Sequence, residues 1–120
     1  MTVRRMKTYT GAAGYVYQYY FVGKREALAD APEVPATEYI FDVTPDRKLM
    51  FAVSVFVRRE ALEALARQHG RPLTDSEQYA AAKMRLFQGF DQIEDLRLQD
   101  RRLSVGAGNV EELLAALGVD

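Results

Sequence analysis

Glu38-Tyr-Ile-Phe-Asp-Val-Thr-Pro-Asp-Arg-Lys-Leu-Met-Phe-Ala-Val-Ser-Val-Phe-Val57 decides the fold. Both halves are dense in β-branched and aromatic residues, and Thr44-Pro-Asp-Arg47 separates them. Pro45 presets φ for the second position of a tight turn, and Asp46 suits the third. The stretch therefore reads as strands Glu38 to Val43 and Lys48 to Val57, folded into an antiparallel hairpin. A period of two puts Leu49, Phe51, Val53, Val55 and Val57 on one face of the second strand. Lys48, Met50, Ala52, Ser54 and Phe56 fall on the other, which is only half polar.

Upstream, residues 3–10 read as a strand of mixed polarity, and Gly11-Ala-Ala-Gly14 is a turn signal. Tyr15-Val-Tyr-Gln-Tyr-Tyr-Phe-Val22 follows, the densest strand signal in the chain. Alternation places Tyr15, Tyr17, Tyr19 and Phe21 on one face and Val16, Gln18, Tyr20 and Val22 on the other. Residues 24–36 lose the alternation and contain Pro32 and Pro35, so they read as a loop.

Downstream the period changes. Ala61, Leu62, Leu65 and Ala66 form one stripe of a helix over residues 58–69. Gly70 is the expected stop, and Pro72 prevents continuation. Thr74-Asp-Ser-Glu77 is a capping box: the Thr74 hydroxyl accepts from the Glu77 amide while the Glu77 carboxylate reaches back. It opens a second helix with a buried stripe of Tyr79, Leu86, Phe87 and Phe90, ending between Gly89 and Ile93. Residues 96–105 alternate weakly, as a short edge strand or irregular chain. Asn109-Val-Glu-Glu112 is a further capping box in outline, opening a short helix through Leu117.

Strands come first and helices second, which argues an α+β domain over alternating βαβ units. The expectation is one domain over residues 1–120: an antiparallel sheet of about four strands, two main helices and a short C-terminal helix. A chain of 120 residues with 48% hydrophobic and 28% charged residues is large enough to bury one core.

Composition removes several chemistries. The chain has no Cys, which excludes a disulfide framework, a thiol nucleophile and Cys-ligated metals. A Cys-free chain fits a reducing cytoplasm. The basic start is not followed by an apolar run, so no secretory leader is expected, and no stretch approaches the ~20 apolar residues of a membrane span. The one His, His69, sits at a helix C-terminus, where it complements the helix dipole. Ser54, Ser76 and Ser104 are in no G-x-S-x-G elbow. Gly106-x-Gly108 precedes a helix, but Glu111 and Glu112 place negative charge where a phosphate would bind. Asp91, Glu94 and Asp95 share i, i+3, i+4 spacing, which suits solvated acids at a helix end better than a hard-cation site. Glu38 and Asp42 share a strand face and read as the polar side of the hairpin. No cofactor and no metal site is indicated.

Two features remain. Ten of the 13 Phe and Tyr lie between Tyr9 and Phe56, in the sheet. Two main helices cover one sheet face, and the apolar residues on the other ask for a second cover: the 24–36 segment with the C-terminal helix, a second copy, or a ligand. The leading expectation is a cytoplasmic binding domain, homodimeric through or beside the aromatic sheet. Tyr15, Tyr17, Tyr19 and Phe21 would serve as interface or pocket wall. The second feature is charge: residues 1–25 carry Arg4, Arg5, Lys7, Lys24 and Arg25 and no acid. Arg4, Arg5 and Lys7 beside aromatic rings suit nucleic acid or another anionic ligand. The pI of about 5.9 and the missing RNA-binding signature rank that reading second. A third reading is a small enzyme whose pocket assembles carboxylates, Tyr and Arg from distant positions.

Overall fold

A computed structural model of the chain describes residues 6–11, 16–29, 33–92, 102–106, 109, 112 and 115. The elements run β1 (Lys7–Thr10), β2 (Val16–Ala29), β3 (Val34–Thr44), β4 (Phe51–Arg58), α1 (Arg59–His69), α2 (Asp75–Gln92) and β5 (Arg102–Val105). The five strands form one sheet in the order β1-β2-β3-β4-β5. The first three pairings are antiparallel, and β5 runs parallel to β4. The architecture is α+β, with a mixed sheet of five strands where an antiparallel one of four was expected. The parallel pair follows from connectivity: both helices lie between β4 and β5, and a long crossover brings the chain back in the same direction. The weakly alternating 96–105 segment thus supplies the edge strand β5. Among the described residues no helix is long and apolar enough to cross a membrane.

The hairpin is present, with two boundary changes. Its turn runs on to Met50, because side chains satisfy the backbone there. The Thr44 hydroxyl accepts from the Arg47 amide at 2.9 Å, and the Asp46 carboxylate accepts from the amides of Lys48 and Leu49 at 2.8 and 3.0 Å. Those amides are removed from the ladder, β4 begins at Phe51, and Leu49 and Met50 are exposed instead of lying in the sheet. The second change is larger. Residues 24–29 and 34–36 are paired strand, not loop, so β2 and β3 form the longest ladder of the sheet. The charges of Lys24, Arg25 and Glu26 broke the apolar pattern because this part of β2 is an edge. Among the described residues β1 pairs only with Val16–Tyr19. Pro35 is tolerated because β4 pairing begins one residue later, at Ala36.

One sheet face holds the core. Tyr17, Tyr19, Phe41, Val43, Val53, Val55 and Val57 meet Ala61 and Leu65 of α1 and Ala82, Leu86 and Phe90 of α2. Rings stack across the layers, Tyr9 on Phe87 at 4.4 Å and Tyr17 on Phe90 at 4.3 Å between centroids. Gly89 permits the close approach of α2 to β5: a Cβ there would lie 2.8 Å from Leu103 Cδ1. Gly70 ends α1 in the left-handed region at φ 74°. The expected C-terminal helix lies mostly outside the described residues, of which Glu112 and Ala115 are helical. The Asn109 side chain closes the Gly106 loop, accepting from the Gly106 amide and donating to the Ser104 carbonyl.

The opposite face supplies its own polar pairing. Glu38 is only 7% exposed, and its carboxylate accepts from Arg25 Nε at 2.7 Å and Ser54 Oγ at 2.6 Å. Tyr20 donates to Asp42 at 2.7 Å. The Arg102 guanidinium lies 4.7 Å from the Phe56 ring centre, beside the small cluster of Ala29, Ala36 and Phe56.

Candidate functional site

Two local devices build a cleft where α2 starts beside β2 and β3. The first is a β-bulge. The β2–β3 register shifts between Phe21 and Gly23, leaving Val22 as an extra residue. Strict alternation would put Lys24 on the face of Tyr20. The extra residue reverses the faces, so Lys24 pairs with Tyr39 on the helix side and Arg25 pairs with Glu38 on the other. The second is the capping box. Glu77 N donates to Thr74 Oγ1 at 3.2 Å, and Thr74 N donates to Glu77 Oε1 at 2.9 Å. Arg71 adds a two-pronged pair to the same carboxylate, at 2.9 and 3.0 Å. Bonds from Arg71 and the Thr74 amide hold the Glu77 carboxyl down at about 2. This fixes the first turn of α2, and with it Asp75, Ser76, Gln78 and Tyr79.

Two adjoining cavities occupy the cleft. One, of about 270 Å³, is lined by Phe21, Lys24, Tyr39, Asp75, Ser76 and Tyr79. The other, of about 330 Å³, is lined by Lys24, Arg25, Glu26, Thr37, Asp75 and Gln78. Each is near the lower limit of small-ligand sites. The first is walled by rings: Phe21 meets Tyr79 edge-on at 5.1 Å, and Tyr39 lies 6.2 Å from both. The second is polar. Lys24 and Asp75 belong to both, so they stand at the junction.

One polar group in this cleft is buried and unmet, and two exposed charges beside it, Lys24 and Asp75, have no ion-pair partner among the described residues. Tyr39 is 1% exposed, and its hydroxyl is buried with no hydrogen-bond partner, the one such side-chain atom among the described residues. Neither Lys24 nor Asp75 forms a side-chain ion pair among the described residues. The Lys24 ammonium instead sits 5.8 Å from the Tyr39 ring centre. Burial, and then the Asp75 charge, push the Tyr39 hydroxyl above its ordinary pKa, and burial does the same for Tyr79. Both therefore present neutral hydroxyls at neutral pH. Lys83 lies 5.8 Å from the Tyr79 ring centre, and burial and the Lys7 charge lower its pKa.

The residues singled out by sequence are distributed unequally. Tyr17 and Tyr19 lie in the core beneath α2, covered by rings of the same chain. Phe21 is half-buried and lines the ring-walled cavity. Lys7 is exposed on the short edge strand β1. Tyr15, Arg4 and Arg5 lie outside the described residues, as do Glu94 and Asp95 of the acidic trio. Asp91 of that trio accepts from the Tyr9 hydroxyl at 2.6 Å. No group of three or more His, Cys, Asp or Glu able to hold a metal ion occurs among the described residues. His69 is exposed at the end of α1.

Sequence reasoning did not single out Lys24, Tyr39, Asp75 or Tyr79 as a site. Tyr39 reads as ordinary strand and Tyr79 as helix core. The capping box was the available signal, because it fixes which residues stand at the head of α2. No protein-family model, curated protein or solved structure matches the chain. The functional reading rests on the cleft alone.

Proposed function

We propose that the protein is a small-molecule-binding domain whose ligand occupies the cleft between the start of α2 and strands β2 and β3. The Tyr39 hydroxyl carries the reading. Leaving a buried hydroxyl without a partner costs about 1–3 kcal/mol. The hydroxyl belongs to a residue that lines the ring-walled cavity, and a ligand that shifts the neighbouring rings on entry would supply the missing bond. Rings on one side and unpaired charges on the other add a surface for an apolar group and anchors for polar ones. Fragment titration followed by backbone amide shifts tests the proposal. A panel of small aromatic and polar compounds should perturb Lys24, Tyr39 and Asp75 to Tyr79. Perturbations gathered on the Glu38 face, or none across the panel, would refute it.

A second reading, a homodimer beside the aromatic sheet, is supported by the edge of β2. From Tyr20 to Ala29 that strand pairs on one side only among the described residues, which leaves backbone groups open to another strand. Light scattering should then give twice 13.6 kDa; a strictly monomeric mass at high concentration would sink this reading.

A further inference from the structure

We infer that the cleft takes a free α-amino acid with an aromatic side chain, an assignment that rests on the cleft being a ligand site. Lys24 and Asp75 are the two residues common to both cavities. Both are exposed, and each carries a charge with no side-chain ion-pair partner among the described residues, so a ligand can take either in place of water. A ligand that answers both must bring an anion and a cation on a short scaffold, because the two residues border the same space. An α-ammonium and an α-carboxylate on one carbon meet that requirement. The ammonium goes to Asp75 and the carboxylate to Lys24, as charge-assisted hydrogen bonds.

The ring-walled cavity then takes the side chain. Phe21, Tyr39 and Tyr79 meet one another edge-on or tilted, the arrangement aromatic rings prefer, and a further ring extends it. The buried Tyr39 hydroxyl gains a partner from the ligand's polar end if the rings around it shift as the ligand enters. Other ligand classes fit less well. A polyanion such as a nucleotide meets Asp75 and Glu26. A simple cation meets Lys24 and Arg25. An uncharged aromatic compound leaves Lys24, Asp75 and Tyr39 as they are.

Calorimetric titration of the full chain tests the assignment. L-phenylalanine is compared with phenethylamine, which lacks the carboxylate, N-acetyl-L-phenylalanine, which lacks the cation, and benzyl alcohol, which lacks both. The expected result is saturable one-to-one binding of L-phenylalanine, with each analogue at least tenfold weaker. Lys24→Met should bring L-phenylalanine to the level of phenethylamine. Asp75→Asn should bring it to the level of the acetylated form. Both side chains border solvent-filled space, and far-UV circular dichroism checks that the variants fold. If an analogue binds as tightly as L-phenylalanine, the zwitterion assignment fails while the cleft stands as a binding site. If none of the four binds, the assignment fails as well, and the fragment titration separately decides the fate of the cleft.

Discussion

Replacing Tyr39 by Phe should make the protein more stable and its site worse. The two rings have the same shape, so Tyr39→Phe keeps the contacts with Phe21 and Tyr79 and deletes only the orphaned hydroxyl. That hydroxyl left water on folding and gained no bond in return, at a cost of about 1–3 kcal/mol. A gain of at least ~1 kcal/mol is expected from its removal. Unfolding entropy near 2.1 cal/mol/K per residue amounts to about 0.25 kcal/mol/K for 120 residues. The Tm should therefore rise by about 4 °C, and the urea midpoint should move up with an unchanged slope. Tyr9→Phe is the control of opposite sign. Its hydroxyl donates to Asp91 at 2.6 Å, so this change should lower stability by about 0.5–1.5 kcal/mol. Calorimetry of the three proteins at one pH settles the matter. A Tyr39→Phe protein less stable than its parent would mean that the hydroxyl is satisfied in solution. The cleft would then hold no hydroxyl in need of a ligand.

Alkaline pH should weaken the fold through the tyrosines. The Tyr9 hydroxyl is pushed up to about 12, first by its bond to Asp91 and then by burial, while Tyr19, Tyr39 and Tyr79 are raised chiefly by burial. The folded chain therefore holds protons that the unfolded chain releases near pH 10. Stability should be full below pH 10 and decline from there towards pH 12; urea midpoints that stay level between pH 9 and 11 would contradict this. Glu38 behaves oppositely. Burial alone would raise its carboxyl, but bonds from Ser54 and Arg25 and the charges of Arg25 and Arg102 leave it lowered. Its contribution should fade as pH falls below about 4.5, and Glu38→Ala should cost about 1–3 kcal/mol at pH 7 by urea unfolding and much less at pH 3. Gly89→Ala should be destabilising by about 1 kcal/mol, because overpacking against Leu103 exceeds the helix-propensity gain. Combining it with Leu103→Val should recover part of that loss, which a double-mutant cycle measures.

The fold was legible wherever a local cause acts alone. The capping box at Thr74 and Glu77 and the stop at Gly70 each depend on a few neighbouring residues and are in place, and the turn begins at Thr44 as expected but runs on to Met50. Two kinds of feature were not legible. The extent of β2 and β3 was hidden because an edge strand carries charges for the same reason a loop does: both face water. The parallel placement of β5 was hidden because four residues, Arg102–Val105, acquire their direction only from where the helices deliver them.

The site was hidden by a subtler cause, and that cause ties the fold to the proposed function. Period two along β2 assigns Lys24 to the face of Tyr20 and Arg25 to the face of Phe21. One extra residue at Val22 exchanges them. Nothing in Phe21-Val-Gly-Lys24 announces a bulge beyond the glycine beside it. Yet its consequence reaches both faces of the sheet. Arg25 arrives opposite Glu38, where its guanidinium helps to keep a buried carboxylate charged. Lys24 arrives over the Tyr39 ring, at the head of α2, where it borders the same space as Asp75 but forms no ion pair among the described residues. Had the strand continued in register, the buried acid would have lost its arginine and the cleft its cation. The bulge thus serves stability on one face and leaves an exposed, unpaired cation on the other. That exposed, unpaired cation, beside an exposed, unpaired carboxylate and a buried hydroxyl without a partner, is why this cleft and not the larger apolar core is the place to look for a ligand.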